Sequence, residues 1–185
     1  MKTLCITLHF LDEWFHGQSD DGPEWPPSPY RLFQALIAGA SRNGIDSKDL
    51  FQWLEQLSPP EILSPRAKEA RRWSTYVPNN DSDKKFNRQE RLAEKVFRPV
   101  HIPSNNPVHY LWKIKAEDIP VATKTAGLAQ LLSAVGWGID LVAGTGQILS
   151  KGDAQQLMGS YTGNHWKPAV NSRKAIRCPR QGSFV

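Results

Sequence analysis

Cysteine is scarce in this chain: Cys5 and Cys178 are the only two among 185 residues. That excludes a disulfide framework and a cysteine-built zinc site. No uninterrupted apolar run approaches the roughly 18 residues that a membrane-crossing helix needs. The opening, Met1-Lys2-Thr3-Leu4, leads directly into alternating apolar residues and not into a leader with a small-residue cleavage site. The composition of disorder is missing as well, since 39% of residues are hydrophobic and 22% charged. These absences predict a soluble, cytoplasmic protein, with 1–185 forming a single domain and no membrane partner.

Chemical motifs are thin. The five histidines are His9, His16, His101, His109 and His165, and no spacing among them matches a metal-binding pattern. Gly136-Trp137-Gly138 and Gly144-Thr145-Gly146 look like phosphate-loop fragments. Neither completes a glycine fingerprint between strand and helix, and no Walker lysine-serine follows. Neither cysteine has a neighbouring base in sequence, so thiol chemistry has no support. No metal and no cofactor is expected.

What the chain does have is unevenly placed charge. The net charge is +5. Residues 1–65 hold 4 Lys/Arg against 9 Asp/Glu, whereas residues 66–115 hold 12 against 5. The basic stretch contains Arg66, Lys68, Arg71, Arg72, Lys84, Lys85, Arg88, Arg91, Lys95 and Arg98, interleaved with Trp73, Tyr76, Phe86 and Phe97. Cations neutralise phosphates and aromatic faces stack on unpaired bases at about 1–3 kcal/mol each. The blander reading is a solvated loop of mixed charge, since Glu69, Asp81, Asp83, Glu90 and Glu94 share the stretch.

Periodicity supplies the elements. Leu4, Ile6, Leu8 and Phe10 alternate as a first strand. Ser28-Pro29 reads as a helix cap and first helical residue, followed by Phe33, Leu36, Ile37 and Ala40, with Asn43-Gly44 as the stop. A second helix runs from Ser47 to the Pro59-Pro60 terminator. Glu61–Leu63 and Trp73–Val77 are strand-like, and 79–87 reads as a mobile loop. Val96–Ile102 and Val108–Ile114 predict a hairpin, Thr123–Val135 a helix, and Ile139–Ala143 a short strand. From about 150 onward the tail is poorly specified, with only Ile176–Cys178 suggesting regular structure. This order fits an α+β protein. The closest architecture is a ferredoxin-like (RRM-like) βαββαβ sandwich, with a basic β-hairpin or loop inserted at about 66–98 and an open sheet face of the kind that meets RNA.

The most distinctive segment is Glu24-Trp25-Pro26-Pro27-Ser28-Pro29-Tyr30-Arg31-Leu32-Phe33-Gln34. A rigid proline run aims Trp25 and launches the helix. Arg31 in the first turn opposes the helix dipole, which is explained most simply if it meets an anion. Trp25 could equally be a structural elbow packing the core. His16, in a loop beside Trp14 and Phe15, and His101, after the basic stretch, are the only acid–base candidates. His9 and His109 fall in strands.

Trp14-Phe15-His16-Gly17 and the Trp25-Pro26-Pro27-Ser28-Pro29-Tyr30-Arg31-Leu32-Phe33-Gln34 element resemble the opening of the type I-G (formerly I-U) CRISPR-associated Csb-two proteins. Tyr76–Asp81, Val96–Pro99 and Val108–Trp112 are similar to stretches of that family, and Gly136–Val142 and Ile176–Pro179 more loosely. The resemblance implies a Cas-five-like half that caps the 5′ handle of the guide RNA in Cascade. It also implies a Cas-six-like endoribonuclease half, expected beyond about Pro179 and absent from this chain. The implied function is a non-catalytic RNA-binding subunit that docks on the Cascade backbone and large subunits, with target DNA a further candidate partner. The residues expected to meet RNA are Trp25, Tyr30, Arg31, Arg71, Arg72, Tyr76, Asn79, Asn80, Lys84, Lys85, Arg88, Arg91, Arg98 and His101. Two rivals stand beside it: a metal-independent endoribonuclease using His16 or His101, and a basic scaffold for acidic proteins.

Overall fold

In the computed structural model, which describes residues 1–19, 22–78, 91–102, 106–169 and 175–184, the chain opens with β1 (Lys2–Phe10). Three two-residue strands follow: β2 (Trp14–Phe15), β3 (Gln18–Ser19) and β4 (Gly22–Pro23). Helices α1 (Pro29–Arg42) and α2 (Lys48–Leu54) lead to β5 (Glu61–Ser64). Then come β6 (Lys68–Glu69), β7 (Trp73–Pro78), β8 (Leu92–Phe97), β9 (Val100–His101) and β10 (Val108–Ile114). Helix α3 (Ile119–Leu128) tightens into a 3₁₀ turn, Ala129–Leu131, before β11 (Val142–Leu149), α4 (Lys151–Ser160) and β12 (Asn164–Trp166).

The main sheet has the order β11-β1-β10-β5-β12, antiparallel at every pairing. β1 is an inner strand, between β11 and the central β10, because Leu4 to Leu8 are all buried, apolar or short polar side chains on both faces. Leu4, Ile6 and Leu8 face α1, α2 and α3 together with Tyr110 and Trp112 of β10. Tyr110 is fully buried, and its hydroxyl donates to the Pro27 carbonyl at 2.7 Å, tying the proline run to the sheet. Cys5, Leu63 and Leu111 face the other way, against Leu157, Met158 and Tyr161.

Helix α1 begins as its sequence dictates. Ser28 Oγ accepts the Arg31 amide at 3.4 Å, Pro29 needs no donor, and Leu32, Phe33, Leu36 and Ala40 turn inward. It ends at Asn43, with Gly44 at φ 64° closing the turn in the left-handed region.

Several sequence expectations shift. Val108–Ile114 does not pair with Val96–Ile102; it lies between β1 and β5. All but Lys113 of its seven residues are buried, which suits an inner strand. The 96–102 run is broken by Pro99 into β8, which pairs with β7, and β9, which pairs with β2 and β6. The third helix starts earlier, at Ile119 with Pro120 in its first turn, and leaves helical geometry at Leu132. In place of a short strand over Ile139–Ala143, the edge strand beside β1 is Val142–Leu149, carrying straight through Gly144 and Gly146. A β-carbon at either glycine would collide with the backbone carbonyl of Ala129 or Ala126, so glycine here lets the helix lie against the strand. After 150 the chain forms α4, held by a Ser150–Asp153 capping box, and β12, while 176–178 is irregular. The sheet face opposite α1 is therefore not open along its whole length, because α4 covers Cys5, Leu63 and Leu111. Among the described residues no helix is long and apolar enough to cross a membrane.

Candidate functional site

Chemistry-bearing side chains gather on one side, where the β7–β8 hairpin meets the loop after β2 and the segment before β11. In the hairpin Trp73 pairs with Phe97 and Tyr76 with Glu94. The Trp73 indole stacks on Phe97 with ring centroids 4.5 Å apart and planes 11° from parallel. Phe97 in turn meets Trp137 edge-on at 5.0 Å and the His16 ring at 6.4 Å. Trp73 is 45% exposed, so its outer surface remains available. Tyr76, three residues on and therefore on the opposite face of the hairpin, is 64% exposed.

Asp140 holds this cluster together. It is 1% exposed, and its Oδ1 accepts both the His16 amide (2.9 Å) and His16 Nδ1 (2.8 Å). Its Oδ2 accepts the Trp137 amide at 3.2 Å. The carboxylate can only accept, so Nδ1 carries a proton and Nε2 is the imidazole nitrogen left for other partners. The Asp140 amide also donates to the Trp137 carbonyl (2.9 Å), which closes the turn that presents Trp137. Gly136, at φ 103°, gives that turn a backbone that residues with a β-carbon rarely adopt.

Beyond β3 lies a cleft of about 440 Å³ between α1, the 133–136 segment and Arg177. Arg31 Nε bonds Glu24 Oε2 at 2.8 Å and its Nη2 donates to the Gln18 carbonyl at 2.6 Å. The anion that the sequence calls for beside Arg31 is thus present within the chain. The amides at the start of α1 are engaged too. Glu24 Oε1 takes the Ser28 amide, Ser28 Oγ that of Arg31, and the Arg177 carbonyl that of Tyr30. The Arg177 guanidinium lies 5.0 Å from the Tyr30 ring centroid, and Arg42 donates to Ser133 Oγ at 2.8 Å. Gln18 joins cleft to hairpin, since its side chain donates to the Val96 carbonyl at 3.3 Å.

The expected RNA-contacting residues separate into groups. Trp25 is 7% exposed, packs on Phe10 and Phe15 and donates to the Pro65 carbonyl. It is the core elbow and has no face to offer a base. Tyr30 and Arg31 line the cleft. Arg71 and Arg72 are exposed immediately before β7, and Arg91 and Arg98 are exposed at the two ends of β8. Arg98 Nη1 lies 3.9 Å from where a β-carbon of Gly22 would sit. His101 faces Glu13 at 3.3 Å and packs against Trp14. Asn79, Asn80, Lys84, Lys85 and Arg88 lie outside the described residues. Sequence reasoning missed Trp137, Asp140, Arg42 and Arg177. The signal for Trp137 was present in Gly136-Trp137-Gly138, although as a turn and not as a phosphate loop. Among the described residues no group of three or more His, Cys, Asp or Glu could hold a metal ion.

No curated protein sequence matches this chain. Among solved structures it is similar to a CRISPR protein from Archaeoglobus fulgidus, at 15% identity and a TM-score of 0.46. The match covers 81% of this chain and 65% of that one, so the chain spans less than two thirds of that protein's length. The sequence model of a family described as CRISPR-associated protein, GSU0054 family, matches residues 8–185, and the chain belongs to that family.

Proposed function

We propose that this chain is a non-catalytic RNA-binding subunit of a CRISPR surveillance complex of the Cascade type, gripping the 5′ handle of the guide RNA. The observation that carries the reading is the half-exposed Trp73–Phe97 stack, backed by Trp137 and flanked by Arg71, Arg72 and Arg98. Exposed rings offer stacking surface to unpaired bases, and neighbouring guanidiniums neutralise the phosphates between them. Membership of a CRISPR-associated family agrees with partners drawn from such a complex. A backbone subunit, a large subunit and target DNA are the partners this reading assigns.

The strand order β11-β1-β10-β5 also supports a ferredoxin-like βαββαβ unit. In that reading α1 and α2 connect β1 to β5, α3 connects β10 to β11, and β6–β9 form the insertion. The insertion, and not the sheet face that α4 partly covers, is then the RNA platform.

Filter binding of handle-containing guide RNA tests the reading. Trp73→Ala with Arg98→Ala should weaken binding roughly tenfold or more and lower the salt dependence. A folded double variant with wild-type affinity and salt slope would refute the assignment. One observation favours a second reading: the His16–Asp140 pair leaves Nε2 free of the carboxylate beside the aromatic cluster, as a general base for RNA cleavage would require. Specific cleavage of repeat RNA in EDTA, lost in His16→Ala, would select it.

A further inference from the structure

We infer that the cleft along α1 is a phosphate track for single-stranded RNA, continuing the path that starts on the β7–β8 hairpin, with Arg42 and Arg177 each meeting a phosphodiester. The inference rests on the RNA-binding reading above and adds a second, separable contact surface.

Three arginines and one glutamate line the cleft, Arg31, Arg42, Arg177 and Glu24. Arg31 and Glu24 satisfy each other at 2.8 Å. Among the described residues neither Arg42 nor Arg177 has a carboxylate within ion-pair distance. Each is nevertheless positioned. Ser133 Oγ holds one guanidinium nitrogen of Arg42 and leaves the rest of its fork unspent. Arg177 is placed over the Tyr30 ring, and its own carbonyl is tied to the Tyr30 amide at 3.1 Å. An arginine stacked on a ring and lacking a carboxylate keeps its donors for an oxyanion.

The spacing suits a strand. Arg31, Ala35, Ala38 and Arg42 recur at helical intervals along one side of α1. Twelve residues at 1.5 Å each put about 18 Å of helix between Tyr30, over which Arg177 lies, and Arg42, more than one nucleotide spans. Between them the floor is small, with Ala35, Ala38, Ala134 and Gly136, so a backbone can lie close. Gly136 belongs to the turn that presents Trp137 to Phe97, and Gln18 bonds both to Arg31 and to β8. Hairpin and cleft are therefore linked through Gln18 of β3.

Fluorescence anisotropy with a labelled octauridylate over a range of salt tests this on the whole chain. Arg42→Ala/Arg177→Ala should bind about tenfold more weakly and lower the salt slope by about 1.4, at 0.7 per phosphate on a single strand. Arg42→Lys/Arg177→Lys should recover the slope, because charge and not the planar fork sets counterion release. Matched circular dichroism and melting temperature establish that the variants are folded. An alanine pair with unchanged affinity and slope, a lysine pair that keeps the lowered slope, or a wild-type chain that fails to bind the probe would each overturn the inference. Trp73→Ala separates the two claims. If it binds normally while the alanine pair is weakened, the cleft stands and the hairpin reading falls; the reverse pattern removes the cleft alone.

Discussion

Removing the Asp140 carboxylate should unfasten the aromatic cluster and cost the fold several kilocalories per mole. The side chain is buried at 1% exposure and accepts three N–H groups: His16 amide, His16 Nδ1 and Trp137 amide. Asp140→Ala strands two backbone donors, each at about 1–3 kcal/mol when left without a partner. The imidazole costs less, since its side chain is 15% exposed and can turn to water. Taking the lower half of that range gives a loss of about 2–4 kcal/mol, which for a chain of this size lowers the melting temperature by roughly 4–16 °C. His16→Ala removes only one of the three bonds and should cost about 1 kcal/mol. The two residues share one oxygen, so a double-mutant cycle should show coupling of about 0.5–3 kcal/mol. Thermal and urea unfolding followed by circular dichroism measure all three quantities. An Asp140→Ala variant melting within about 2 °C of wild type, or one no more damaged than His16→Ala, would refute the reasoning.

Gly144→Ala and Gly146→Ala should each destabilise the fold by about 1–3 kcal/mol, because the new methyl meets a fixed helix carbonyl and not a side chain that can move. Urea midpoints within error of wild type would contradict that close approach. Stability should also fall at mildly acidic pH through His109. Burial, with the charge of His9 added, brings its pKa down from the usual 6.5 to about 4, while Nδ1 bonds Thr7 Oγ1 at 2.9 Å. A depressed histidine pKa leaves stability intact above about pH 6.5 and erodes it as the pH drops toward 4, by at most 1.36 kcal/mol per unit. His109→Gln should flatten that limb of a urea-midpoint against pH curve, and a parallel curve would exclude His109 as its source. Ser28→Ala should cost about 1 kcal/mol by uncapping α1, read as a shift in urea midpoint, and a neutral effect would mean that the Glu24 contact caps the helix unaided.

Local chemistry made part of the fold legible. Alternation gave β1, and a cap, an N1 proline and a left-handed stop gave α1 nearly to the residue. Strand partners were not legible, because pairing is decided by burial across the whole sheet. The Val96–Ile102 and Val108–Ile114 runs look alike in sequence, yet one borders an exposed hairpin and the other lies at the centre. Gly144 reads as the end of a strand and Gly144-Thr145-Gly146 as a phosphate-loop fragment, since the role of both glycines is defined only by the helix packed upon them. Helix α4 went unseen because few of its residues are apolar: Ala154 is its only buried residue, with Leu157 and Met158 half-buried. For the candidate site, composition located the basic aromatic hairpin. It could not show that Trp25 faces inward, or that Trp137 and Asp140, some forty residues beyond Phe97, complete the cluster.

Arg31 illustrates why a residue that looks like a ligand contact in sequence can end as a strut. A cation in the first turn of a helix is unfavourable unless an anion lies nearby. Glu24 supplies it from seven residues upstream, with one oxygen on the guanidinium and the other on the Ser28 amide. An incoming phosphate at that point would have to displace a carboxylate already bonded on both oxygens, and would leave it partly buried without a partner. The start of α1 is therefore closed to anions by the chain itself. The same closure organises what lies around it. Held by Glu24, Arg31 reaches the Gln18 carbonyl, and Gln18 reaches the Val96 carbonyl, so the ion pair fixes β3 between helix and hairpin. In the RNA-binding role proposed above, a phosphate backbone would instead meet cations outside this lattice, with Arg42 at the far end of α1 keeping its Ser133 bond and Arg177 lying over Tyr30.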